Sequence, residues 1–199
     1  MPNARASRAV RELQEWVQAA LSCVTRIRPT ISRRGFEPLP PEANAHAINI
    51  GEEAVPLAGP ARIALSVQHY YRLTRSAPGR PWRVTTAAYL YALDDEHGRE
   101  ILAYHWHPSL VGQDQVSYPH LHIGHGAVDV ALLDAAQRSR QHNALRQEFH
   151  HLHLPTQRMA LEDVIRLAIE QFRVEPARAD WSRTLQESLE RFKAVRSWV

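Results

Sequence analysis

Apolar and polar positions alternate most regularly between residues 61 and 73, where Ile63, Leu65, Val67, Tyr71 and Leu73 interleave with Arg62, Ser66, Gln68 and Arg72. A period of two sends successive side chains to opposite faces, so this segment reads as a half-buried β-strand. Residues 76–81 hold a turn, 82–93 are rich in β-branched and aromatic residues, and 99–107 follow a tight connection at 94–98. The three segments predict an antiparallel meander. After a loop at 108–117, residues 118–123 return as a fourth strand beside the third, closed by Gly124 and Gly126.

Helical spacing governs the two ends of the chain. Val10, Leu13, Val17, Ala20, Leu21 and Val24 recur at intervals of three and four, with Ser7 as an N-cap. Leu161, Val164, Ile165, Ala168 and Ile169 mark a second helix over 159–172. Trp181, Leu185, Leu189 and Phe192 mark a third over 181–198, capped by Asp180. Between the first helix and the strands, residues 28–60 are broken by six prolines and read as a long connection with one short strand at 47–50. Over 127–150, Val130, Leu133, Leu145 and Phe149 are too widely spaced to define a face. Strands followed by helices imply a single α+β domain over 1–199. The expected core is a four-stranded antiparallel meander at about 61–124, with the N-terminal helix and two C-terminal helices (159–198) packed on one face.

Composition narrows the class. A 199-residue chain with 44% hydrophobic content can build one sizeable core. It has neither the long apolar run of a membrane span nor a signal-peptide core at its start, so a cytoplasmic protein without a membrane partner is expected. Cys23, the single cysteine, excludes an intramolecular disulfide and a multi-cysteine zinc site, and reads as a buried thiol. Charge is uneven: residues 1–34 carry seven arginines against Glu12 and Glu15, while 35–60 carry four glutamates and no base. Of the 24 basic residues only Lys193 is a lysine, a bias that reads as coding composition before it reads as phosphate binding.

The chemistry lies in the histidines. Nine of the twelve fall between 105 and 153, and six of these form His-x-His pairs: His105 with His107, His120 with His122, His151 with His153. On a strand, residues two apart share a face. Leu102, Tyr104 and Trp106 take one face of the third strand, and Leu121 and Ile123 one face of the fourth, so four imidazoles gather on the other. Pairing Trp106 with Leu121 sets His107 opposite His120 and His105 opposite His122, a square with opposed Cβ atoms about 5 Å apart. Such a square could serve three purposes. His107 and His120 could act as proton donor and acceptor, oriented by His105 and His122, with Arg158 or an arginine from a neighbouring strand holding phosphate. The same four histidines could ligate a divalent metal such as zinc, with Glu100 or Asp114 supplying oxygen. Or they could form a plain polar sheet face. His69 reads as a satisfied core histidine, and His46, His97 and His142 as surface positions. The stretch 150–153, ahead of Leu154 and Pro155, reads as a loop able to fold its imidazoles back over the sheet. No lysine or arginine lies between Glu100 and Ala127, which favours imidazole chemistry over a purely electrostatic phosphate cradle.

The order Tyr104, His105, Trp106, His107, Pro108, then Tyr118, Pro119, His120, Leu121, His122, resembles the layout of TumE-type toxins of bacterial toxin–antitoxin pairs. In that family a tyrosine-rich strand leads to a His-Pro step, a short loop and a Pro-His cluster. The resemblance covers residues 61–125. It implies a toxin-like RNA phosphodiesterase with RNA as substrate and an antitoxin as protein partner. A second reading is a binding module without chemistry, using the basic first helix and the tryptophans Trp16 and Trp198 for contact. A third is a metal-binding protein.

Overall fold

The computed structural model describes residues 4–40, 44–75, 77–108, 116–124 and 153–195. Three α-helices and an eight-stranded antiparallel sheet make an α+β fold. In chain order these are α1 (Ala4–Leu21), β1 (Thr30–Ile31), β2 (His46–Asn49), β3 (Val55–Pro56), β4 (Ala64–Thr74), β5 (Arg83–Asp94), β6 (Glu100–Trp106), β7 (His120–Ile123), β8 (His153–Pro155), α2 (Leu161–Phe172) and α3 (Trp181–Val195). The strand order is β1-β2-β4-β5-β6-β7-β8, with β3 following β2 along the outer edge of β4.

The expected meander is present as β4 to β7, but the sheet is twice as large. The proline-broken connection contributes β1, β2 and β3, and the stretch after the fourth strand contributes β8. β2 is the short strand expected at 47–50, shifted by one residue, whereas β1, β3 and β8 are two or three residues long and leave no room for a period of two to declare itself. His46, expected at the surface, lies on β2, is 4% exposed and donates Nε2–H to the Glu37 carbonyl (2.7 Å).

One hydrophobic cluster joins the helices to a single sheet face. Leu65, Val67, Tyr71 and Leu73 of β4, Tyr89, Tyr91 and Leu93 of β5, and Trp106 of β6 are buried in it. A bulge between Tyr70 and Tyr71 leaves Ala87 as the extra residue of β5, so Thr86 and Val84 turn inward where odd-numbered residues had done so before. From the helices come Val10, Leu13 and Val17 of α1, Val164, Ile165 and Ala168 of α2, and Leu185, Leu189 and Phe192 of α3. The packing of all three helices on one face agrees with the sequence pattern.

Details at the helix ends depart from it. Ser7 lies inside α1 and not at its N-cap, and with Ala6 it belongs to the buried stripe. Asp180 holds the N-cap place through its carbonyl, which accepts from Thr184 N–H. Its carboxylate is taken instead by Arg178 and Arg183, which hold it well below the usual carboxylate range. Cys23 is fully buried as expected, its thiol pushed up to about 11 chiefly by burial. His69 is the satisfied core histidine the pattern suggested: Nδ1 meets the Tyr91 hydroxyl at 2.7 Å and Nε2 the Thr86 hydroxyl at 3.3 Å. No helix among the described residues is long and apolar enough to cross a membrane.

Candidate active site

The sheet face opposite the helices carries the imidazoles, and the strand register fixes their layout. Leu102 pairs with Ile123, Tyr104 with Leu121, and His105 with His120. The expected pairing of Trp106 with Leu121 is therefore wrong by two residues. His105, not His107, faces His120, and His122 faces Ala103. A shift of two keeps every side chain on its predicted face, so the alternation could not detect it. Gly124 selects the observed register: its N–H bonds to Ile101 O at 3.0 Å, and a Cβ there would stand 2.0 Å from Glu100 O. Only a glycine fits against that carbonyl.

The third histidine pair enters through β8, where His122 faces His153. Two rungs thus cross the sheet on this face. One runs Ser66, Ala92, Ala103, His122, His153, and the other Gln68, Leu90, His105, His120, Pro155. Their histidine ends form a closed quadrilateral. Ring centroids lie 5.4 Å apart for His105 and His120, 4.7 Å for His120 and His153, 5.6 Å for His153 and His122, and 5.9 Å for His122 and His105. The square is not the expected one: His153 takes the place given to His107, and neither expected histidine pairing is present. His107 stands at its margin, 6.3 Å from His105 and 6.1 Å from Tyr70.

Two rings have their tautomer set by what they touch. His120 is 5% exposed, and its Nδ1 lies 3.0 Å from the Tyr118 carbonyl. A carbonyl only accepts, so Nδ1 carries the proton and Nε2 presents a lone pair. His122 Nδ1 bonds the Glu100 carboxylate, which orients that ring the same way and can balance a positive charge on it. Glu100, expected as a possible metal oxygen, is thus in the site as a partner of His122. Between these rings His105 is held to about 4, first by burial and then by His120, His122, His107 and His153. It is neutral at pH 7, and its buried Nε2 has no hydrogen-bond partner among the described residues. His107 is lowered as well, by burial and by His120.

Arg158 is placed differently from expectation. Its guanidinium carbon sits 4.0 Å from the centroid of Trp106, whose ring belongs to the helix-covered face. Asp114, His125, His142, His150, His151 and Trp198 lie outside the described residues. Trp16 is partly buried against the core. Among the described residues no group of three or more His, Cys, Asp or Glu is set to hold a metal ion. His153 is the member that sequence reasoning left in a loop. The signal for it was its place in a His-x-His pair followed by Leu154 and Pro155. No family model, curated protein or solved structure matches this chain, so the site is read from its own residues.

Proposed function

We propose that the imidazole face is the active site of a toxin-like, cytoplasmic ribonuclease that cleaves phosphodiester bonds by acid–base chemistry. The observation that carries the reading is that His120 and His122, on one sheet face, are both anchored through Nδ1, so that any proton either ring exchanges with a substrate passes through Nε2. His120 Nε2 takes the proton of a ribose 2′-hydroxyl as the 2′-oxygen attacks phosphorus. His122, in its imidazolium form beside Glu100, gives a proton to the departing 5′-oxygen. The P–O2′ bond forms and the P–O5′ bond breaks, leaving a 2′,3′-cyclic phosphate and a 5′-hydroxyl. Neutral His105 spaces the two without adding charge, and His153 closes the wall beside them. No step is routed through a metal. The order of tyrosines, histidines and prolines shared with TumE-type toxins supports the substrate class. The groove of about 570 Å³ along α1 and the segment after it, lined by Arg11, Arg26 and Arg28 with Glu15 as its one carboxylate, suits an acidic antitoxin.

The test is cleavage of a single-stranded oligoribonucleotide by wild-type and His120→Ala protein. Loss of the base is expected to lower the rate by about 10²–10⁴-fold. Equal rates would remove His120 from the chemistry.

A further inference from the structure

The hairpin joining β4 to β5 is one of the most one-sidedly charged parts of the chain. Residues 54–93 hold five arginines and no acidic residue, and four of them, Arg72, Arg75, Arg80 and Arg83, lie at this hairpin. Arg72 follows Tyr70 on the imidazole face of β4, and Arg83 joins that face by pairing with Thr74. Arg75, Arg80 and Arg83 are exposed, and no carboxylate pairs with them among the described residues. Aromatic rings are interleaved with these charges. Tyr70 stands 6.1 Å from His107 at the margin of the site, and Arg75 lies over Trp82 at 4.8 Å. Tyr70, Arg72 and Arg83 therefore lead along the imidazole face to the hairpin end, where Trp82, partly buried against the hydrophobic cluster, carries Arg75 over its ring. From Tyr70 to Thr74 this path covers roughly 14 Å at strand rise.

The other end of the same hairpin has the opposite character. A cavity of about 770 Å³ there is lined by Glu53, Asp94, Asp95 and Glu96, and its one arginine, Arg62, is bound to Glu96 at 2.9 Å. A polyanion meets attraction at the β4–β5 end and repulsion at the β5–β6 end. We infer that the β4–β5 hairpin is the RNA-binding arm of this protein, taking single-stranded RNA with its phosphates on Arg75, Arg80 and Arg83 and an unstacked base against Tyr70. Guanidinium groups alone would suit an acidic protein equally well. The ring of Tyr70 beside these charges favours unpaired bases, because every base offers a π-face and only a few peptide side chains do. The inference rests on the ribonuclease reading and extends it to substrate form and direction of approach.

The experiment measures binding of a fluorescent single-stranded oligoribonucleotide to full-length His120→Ala protein, with and without R75A/R80A/R83A. The triple variant is expected to bind at least ten-fold more weakly, and its log–log salt slope to fall by about 2, since single strands release roughly 0.7 counterion per phosphate contact. The R75K/R80K/R83K protein keeps the slope, which separates charge from misfolding. Tyr70→Ala is expected to weaken binding by about ten-fold, and a duplex of the same sequence to bind more weakly than the single strand. Unchanged affinity and slope in the triple alanine variant overturn the arm, and do so while His120-dependent cleavage leaves the ribonuclease reading standing. Tighter binding of an acidic peptide than of RNA, lost in the same variant, assigns the hairpin to a protein partner and also overturns it. Arm-dependent RNA binding by a wild-type protein that cleaves nothing removes the ribonuclease reading and keeps the arm.

Discussion

His105 links the site to stability through its own titration. Its folded value of about 4 lies below the ordinary 6.5, so the unfolded chain binds the extra proton first as pH falls. Stability contributed by the neutral ring is fully present above pH 6.5 and is lost on acidification toward pH 4. The loss is on the order of 2 kcal/mol after allowance for the ring's partial exposure. Thermal melts between pH 7 and 4.5 should therefore fall more steeply for wild type than for His105→Leu. Parallel curves would show that His105 is not held neutral by its surroundings. Glu100 is the other informative residue. Glu100→Gln keeps a hydrogen-bond acceptor for His122 Nδ1–H but removes the charge that balances an imidazolium. The expected result is a cleavage rate lowered by about ten-fold or more with RNA affinity unchanged. A rate within two-fold of wild type would place the proton donor elsewhere. Histidine identity and face were legible at this scale, because His105, His107, His120 and His122 alternate with Tyr104, Trp106 and Leu121. The partners that fix the tautomers were not, since Glu100 depends on register and Tyr118 O on the local bend of the chain into β7.

Among the elements, β4 to β7 could be read from their alternation, whereas β1, β3 and β8 could not. Val55 to Pro56 and His153 to Pro155 are strands because β4 and β7 offer them an edge, and each ends in a proline that reads locally as a break. The connection between the third and fourth strands was likewise too long to impose a register, leaving Gly124 to do so through the Glu100 carbonyl. Gly124→Ala should push β7 away from β6 and separate His122 from Glu100. Destabilisation of about 1–3 kcal/mol is expected, as for other forced insertions into packed sites. Denaturant unfolding together with the cleavage rate checks this. A variant of unchanged stability and activity would mean that β6 and β7 are not paired as described.

For the whole molecule, the division of labour follows from the sheet. One face is spent on the hydrophobic cluster with three helices, and the other is left for imidazoles, so the site rests on strands rather than on loops. That arrangement was legible in outline from a chain whose strands precede its last two helices. The charge gradient along the β4–β5 hairpin was also visible in the sequence, but its meaning depends on which end approaches His107. Because the proposed chemistry uses only imidazoles and a carboxylate, cleavage should continue in a chelator such as EDTA at a rate within two-fold of the untreated protein. The most direct test of the central claim is the chemistry of the ends left on a single-stranded oligoribonucleotide, resolved by mass. The account expects 2′,3′-cyclic phosphate and 5′-hydroxyl ends from wild type, no cut beside a 2′-deoxynucleotide, and near-complete loss in His120→Ala. Absence of cleavage by wild type, or the same products from His120→Ala at an equal rate, would contradict it.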